Sequence, residues 1–242
     1  MAATVPKRLG HLVGRARELE ELRGLVLSGE PLLTVTGMSG VGKTRLVQEA
    51  VGDLIDCWFD AGGRDDAASL IPEIEQWAES RLSAPTSGLH RVVLDSFDRS
   101  EGGAALISVL DRFPAVQVIC TSRDRLNLLG EVLYRVHPLA YPQDAAEFEV
   151  ADSARWPAVE CFLQTARRVR PDFEVDPGNY ATLVELLRLA GGLPLAIELA
   201  AQWLRVCDLD ELVERASTTM EPFTGGATDL PTHQQDLRVS IQ

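Results

Sequence analysis

Apolar residues follow two regimes along the 242-residue chain. Up to about residue 140, short near-continuous apolar runs alternate with longer segments of helical spacing. The runs at 31–36, 55–60, 91–95, 116–121 and 131–136 are rich in Val, Ile and Leu, as strands buried on both faces are. Leu19, Leu22, Leu25 and Val26 share one face of a helix ahead of the first run. Leu70, Ile71, Ile74, Trp77 and Leu82 do the same between the second and third. Segments 45–51 and 101–112 also have helical composition. Strand and helix in alternation predict an α/β fold built on a parallel, doubly wound sheet.

Beyond residue 141 such runs disappear and only helical periodicity remains. Helices are expected over 154–169, 180–189, 193–206 and 209–216, with Val159, Phe162, Leu163 and Ala166 on one face of the first. Gly191-Gly192 stops the second. Pro194 stands in the first turn of the third, where its missing N–H costs nothing. The chain thus reads as an α/β domain over 1–140 and a helical domain over 141–230, with another helix beginning at 232. Residues 1–10 read as a lead-in, and 83–88, 142–152 and 218–231 as loops.

The connection after the first strand carries the chemistry. Gly37-Met38-Ser39-Gly40-Val41-Gly42-Lys43-Thr44 has the spacing Gly-x-x-x-x-Gly-Lys-Thr, that of a phosphate-binding P-loop between a strand and a helix. Gly37, Gly40 and Gly42 permit a tight turn and close backbone approach to a phosphate. Lys43 brings a point charge, the Thr44 hydroxyl suits Mg²⁺, and the helix that follows presents its positive end to the anion. Asp95 closes the third strand, where a hard oxygen ligand could serve Mg²⁺ opposite Thr44. Asp98 reads equally as the group that orients an attacking water and as a turn residue. Arg123, after Thr121-Ser122 at the end of the fourth strand, reads as a guanidinium that could reach a γ-phosphate or as a partner in a surface salt bridge. All three fall at carboxyl ends of strands, where open α/β sheets gather ligands.

Charge and cysteine content narrow the function classes. With 23 basic and 36 acidic residues the net charge is −13, which argues against a nucleic-acid surface. The densest basic patch, Arg167, Arg168 and Arg170, reads as a solvated helix face. Cys57, Cys120, Cys161 and Cys207 lie too far apart for a zinc pattern. No stretch is both long and apolar enough to span a membrane, and a reduced, cytoplasmic setting fits.

These pieces together resemble a STAND-class P-loop ATPase of the NB-ARC (AP-ATPase) type, as found in bacterial transcriptional regulators of the LuxR and SARP groups. The resemblance rests on Leu12-Val13-Gly14-Arg15 with Glu18-Leu19, the P-loop through Arg45-Leu46, Val92-Val93-Leu94-Asp95, Thr121-Ser122-Arg123, Tyr134-Arg135-Val136 with Pro138-Leu139, and Gly191-Gly192-Leu193-Pro194-Leu195-Ala196. It implies that Val13, Gly14 and Arg15 lie at the adenine and ribose, with Pro194 packed on the adenine. Ser39, Gly40, Val41, Gly42, Lys43, Thr44 and Arg45 would surround the phosphates of ATP or ADP. Thr44 and Asp95 would serve Mg²⁺, and Arg123 would sense the γ-phosphate. Ser96 replaces the second acid of the family's eukaryotic pattern, which implies slow hydrolysis. The family continues into a winged-helix domain, whose start resembles 231–242. The resemblance therefore implies a nucleotide-operated switch that cooperates with other domains of a parent regulator, self-assembles in its ATP state and leaves DNA to a separate domain. The rival expectations are a dedicated ATPase with fast turnover and a scaffold with an empty pocket.

Overall fold

The computed structural model describes residues 12–62, 64, 67–82, 88–98, 102–147 and 155–223. The lead-in, most of the 83–88 loop and the helix expected from 232, with its winged-helix resemblance, lie outside the described residues. The chain divides into two compact units, Met1–Gly37 with Lys43–Val136 and Met38–Gly42 with His137–Gln242.

The first unit is built on five strands: β1 (Leu32–Thr36), β2 (Cys57–Asp60), β3 (His90–Asp95), β4 (Val116–Ser122) and β5 (Val132–Arg135). They form one sheet in the order β2-β3-β4-β1-β5, and every pairing is parallel. Its helices are α1 (Ala16–Leu27), α2 (Lys43–Val51), α3 (Ile71–Arg81) and α4 (Gly102–Arg112). The α/β parallel sheet predicted by the apolar runs is thus present.

Side-chain alternation assigns the two faces of the sheet. Leu32, Cys57, Phe59, Val92, Leu94, Val118 and Cys120 share one buried cluster with Ile74 and Ala78 of α3 and Leu106 and Val109 of α4. The intervening Leu33, Val35, Trp58, Val93 and Ile119 are equally buried, so the other face is covered too; there α2 meets β1 and β4 and packs on α1. Gln117, polar and fully buried in β4, is satisfied from three sides. Its Nε2 donates to the carbonyls of Val26 (3.0 Å) and Glu30 (2.9 Å), and its Oε1 accepts from Arg91 Nε at 3.0 Å.

Three strands are shorter than the apolar runs predict: β1 by Pro31, β2 at its start and β5 at both ends. Asp56 lies outside β2 because its side-chain Oδ2 accepts the Arg91 amide at 2.9 Å. Glu131 lies outside β5 because its carboxylate accepts from the amides of Leu126 (2.8 Å) and Leu128 (3.4 Å). The β4–β5 connection therefore contains no helix, although β5 lies on the far side of β1 from β4.

In the second unit α5 (Pro157–Val169) packs on α7 (Pro194–Gln202), and α6 (Tyr180–Leu189) on α8 (Leu209–Thr218). Phe162 and Phe173 meet edge to face at 5.7 Å. The turn between α6 and α7 uses two successive left-handed residues, Gly191 (φ 60°) and Gly192 (φ 66°). The Gly192 carbonyl accepts the Leu139 amide at 2.8 Å. Cys57, Cys120 and Cys161 are buried, and burial raises the thiols of Cys57 and Cys120 above the usual range. No helix among the described residues is long and apolar enough to cross a membrane.

Candidate functional site

β1 ends at Thr36, and the Gly-rich loop follows at once. Gly37 (φ 150°), Gly40 (φ 77°) and Gly42 (φ 97°) all have positive φ, the region that residues with a Cβ rarely adopt. A Cβ on Gly42 would meet nothing within 4 Å, so the demand there is purely torsional. Lys43 opens α2 and returns over the loop, its Nζ donating to the Gly37 carbonyl at 2.7 Å. Burial pushes the Lys43 ammonium down to about 8, against the opposing pull of Asp98 and Asp95. A partly desolvated ammonium in the first turn of a helix attracts an anion.

Thr44 and Asp95 come together: Thr44 Oγ1 donates to Asp95 Oδ1 at 2.7 Å. The same carboxylate oxygen accepts from Thr121 Oγ1 at 2.5 Å. Thr121 also accepts the Ser96 amide at 2.8 Å. Ser96 itself takes a left-handed conformation, φ 57°, which costs about 1–2 kcal/mol for a residue with a Cβ. The Thr121 contact helps hold the turn that follows Asp95. A hydroxyl and a buried carboxylate in contact fit Mg²⁺, which takes one or two protein oxygens and fills its remaining positions with water and phosphate. A cluster of three or more acidic or His/Cys ligands is absent among the described residues, and this ion does not require one.

Asp98 and Arg123 also come together. Asp98 Oδ1 accepts from the Arg123 amide (2.9 Å) and from Ser122 Oγ (3.2 Å), and Oδ2 accepts from Arg123 Nε (2.7 Å). Arg123 Nη2 lies 2.6 Å from the same Oδ2. Ahead of α1, Val13 is half-buried and Gly14 has φ 64°. Arg15 is almost wholly buried and pairs with Glu18 at 2.7 Å. Of the other loop positions, Ser39 is half-buried, Val41 is buried with its amide on the Met38 carbonyl (3.3 Å), and Arg45 lies in the first turn of α2. In the second unit Pro194 is the first residue of α7, and the next amide, Leu195, donates to the Gly40 carbonyl at 3.2 Å.

Thr121 is the site residue to which the motifs assign no part. The sequence signals only that a hydroxyl at the end of an otherwise apolar buried run must find a polar partner; that the partner is Asp95 follows from the strand order.

No family model matches the chain. An uncharacterized protein of Mycobacterium tuberculosis is 30% identical over 98% of this chain and 61% of its own length. A second protein of that organism, provisionally named as an HTH-type transcriptional regulator, is 28% identical over 89% of this chain and 25% of its own. The chain thus spans about three fifths of the length of the curated relatives it matches most fully. Among solved structures, a STAND protein with a tetratricopeptide repeat sensor from Pyrococcus horikoshii superposes with a TM-score of 0.54 at 18% identity, over 89% of this chain and 33% of the other. A Walker-type ATPase of Pyrococcus abyssi gives 0.53 at 17%, over 88% and 75%. At these identities the likeness concerns architecture alone, a five-stranded parallel sheet with flanking helices.

Proposed function

We propose that the chain is an ATP- and ADP-binding switch module of a cytoplasmic, signal-transducing regulator, one that acts on transcription and hydrolyses ATP slowly. The observation that carries this reading is the Thr44–Asp95 contact next to Lys43, whose ammonium returns to the Gly37 carbonyl, with positive φ at Gly37, Gly40 and Gly42. The loop amides and Lys43 bind the phosphates. Thr44 and Asp95 hold Mg²⁺, which on binding supplies charge neutralisation at the phosphate oxygens. Thr121 fixes the Asp95 carboxylate that takes part. Val13, Gly14 and Arg15 of the α/β domain and Pro194 of the helical domain belong to the adenine and ribose end. The position after Asp95 is Ser96, which offers no second carboxylate, and this supports slow turnover. The regulatory context draws support from the second mycobacterial relative, named as an HTH-type regulator, and from the Pyrococcus horikoshii STAND protein. NB-ARC kinship, domain partners within a longer regulator and self-assembly in the ATP state are part of the same proposal.

Extraction of nucleotide from the purified chain, beside a Lys43→Ala control, tests it. The expected result is bound ADP or ATP that the substitution removes, with turnover well below about 1 s⁻¹, the lower end of the usual enzyme range. Turnover inside that range would favour a dedicated ATPase. A chain that binds neither nucleotide would overturn the reading.

A further inference from the structure

Asp98 has two sequence-level readings, the orientation of an attacking water or a place in a turn. Its surroundings favour a third. Oδ1 is occupied by the Arg123 amide and Ser122 Oγ, and Oδ2 by Arg123 Nε, with Nη2 at 2.6 Å. A carboxylate that accepts on both oxygens has little left with which to take a proton from water. One carboxylate therefore holds the arginine that a terminal phosphate would be read by.

We infer that Asp98 is an internal stand-in for the γ-phosphate: its carboxylate holds Arg123 when no terminal phosphate is present, and ATP must displace it to recruit that arginine. This deepens the proposed nucleotide switch and rests on it. The pair is open to water, with Arg123 62% and Asp98 37% exposed. Such pairs are weak enough to exchange partners. ADP carries no γ-phosphate and leaves the pair intact. ATP binding is opposed by the strength of the pair, so Asp98 lowers ATP affinity relative to ADP. A ligand shifts a two-state arrangement only by its differential interaction with the two states, and here the differential is built from one carboxylate. Asp98 is thus a positioning residue for Arg123.

The test is titration of the full 242-residue chain with ADP and ATP in the presence of Mg²⁺, for the wild type, Asp98→Asn, Arg123→Ala and the double variant. Asparagine keeps an oxygen for the Arg123 amide and Ser122, so the turn retains its acceptor, but its amide nitrogen cannot accept from the guanidinium. The expected result is ATP affinity raised about two- to fivefold by Asp98→Asn, the range of an exposed ion pair, with ADP affinity unchanged. In the Arg123→Ala background the same substitution should change neither. Equal loss of both affinities would reduce Asp98 to a structural turn residue. Unchanged affinities with abolished turnover would return it to the water-orienting role. A gain in ATP affinity that survives Arg123→Ala would move the effect to Lys43 and overturn the pairing. Failure of the underlying switch reading is seen separately, in a wild-type chain that binds neither nucleotide.

Discussion

Lys43 joins the residue chemistry to a measurable pH dependence. Its ammonium falls to about 8 because burial disfavours the charged form. Between about 8 and its ordinary 10.5 the unfolded chain binds more protons than the folded one, so this residue makes stability rise with pH across that window. Nucleotide binding has the opposite sign. A phosphate favours the charged lysine, so binding takes up a proton above about pH 8. The lysine's contribution to affinity should then be flat between pH 6 and 7 and fall above pH 8, by about tenfold per unit at most for one linked proton. Calorimetry in buffers of different ionisation heat checks the uptake, and Lys43→Met should abolish it. Thr121 gives a second prediction at this scale. Thr121→Val keeps the shape but strips a partner from Asp95 and from the Ser96 amide, at a cost of about 2 kcal/mol. Urea unfolding measures this, and a loss below about 0.5 kcal/mol would mean the bridge contributes nothing. The glycines, Lys43 and Thr44 are legible in sequence because one short spacing encodes them, and Asp95 because it closes an apolar run. The part played by Thr121 is not, because it depends on a lateral contact between strands whose order the sequence leaves open.

At the scale of elements, the turn between α6 and α7 is the most constrained. A Cβ on Gly192 would fall 2.4 Å from the Leu139 carbonyl oxygen, whereas one on Gly191 would meet nothing within 4 Å. Both residues have positive φ, so both substitutions carry torsional strain and only one adds a backbone clash. Gly192→Ala should cost about 3 kcal/mol or more and Gly191→Ala about 1 kcal/mol. Thermal unfolding of the two variants side by side decides it, and equal losses would contradict the clash. Elements were legible wherever an apolar pattern was long: α5 and α6 lie within a few residues of their predicted spans. Boundaries departed from prediction where a side chain took over a ladder position, as Asp56 does beside Arg91. The segment from 67 begins as a 3-10 turn, and α3 starts at Ile71, just ahead of Pro72. A proline is at home in a helix's first turn, and this one marks the boundary better than the apolar spacing does.

For the whole molecule, the net charge of −13 sets the expectation for nucleic acid. Arg167 and Arg168 close α5 in exposed positions, with Arg170 just beyond. Three arginines on so acidic a protein offer too few phosphate contacts to hold a duplex at physiological salt. Fluorescence anisotropy with duplex DNA at about 150 mM salt, near the ionic strength at which surface charges are well screened, should give no saturable binding. Retained affinity would contradict the proposal that DNA recognition resides elsewhere in a regulator. The overall architecture was legible because alternating strand and helix leave few packing solutions. The strand order was not, since near-continuous apolar strands carry no record of their neighbours.

The helix-free connection from β4 to β5 bears on tempo. Arg123 is its first residue, Leu126 is tucked into the core, and the Glu131 carboxylate ties down the Leu126 and Leu128 amides. Moving Arg123 from one anion to another strips no helix from the sheet and opens none of the buried ladder. The rearrangement belongs with loop motions of nanoseconds to microseconds, not with the slow openings that expose a core. A reporting group mounted this way can answer its ligand long before the scaffold beneath it has time to change.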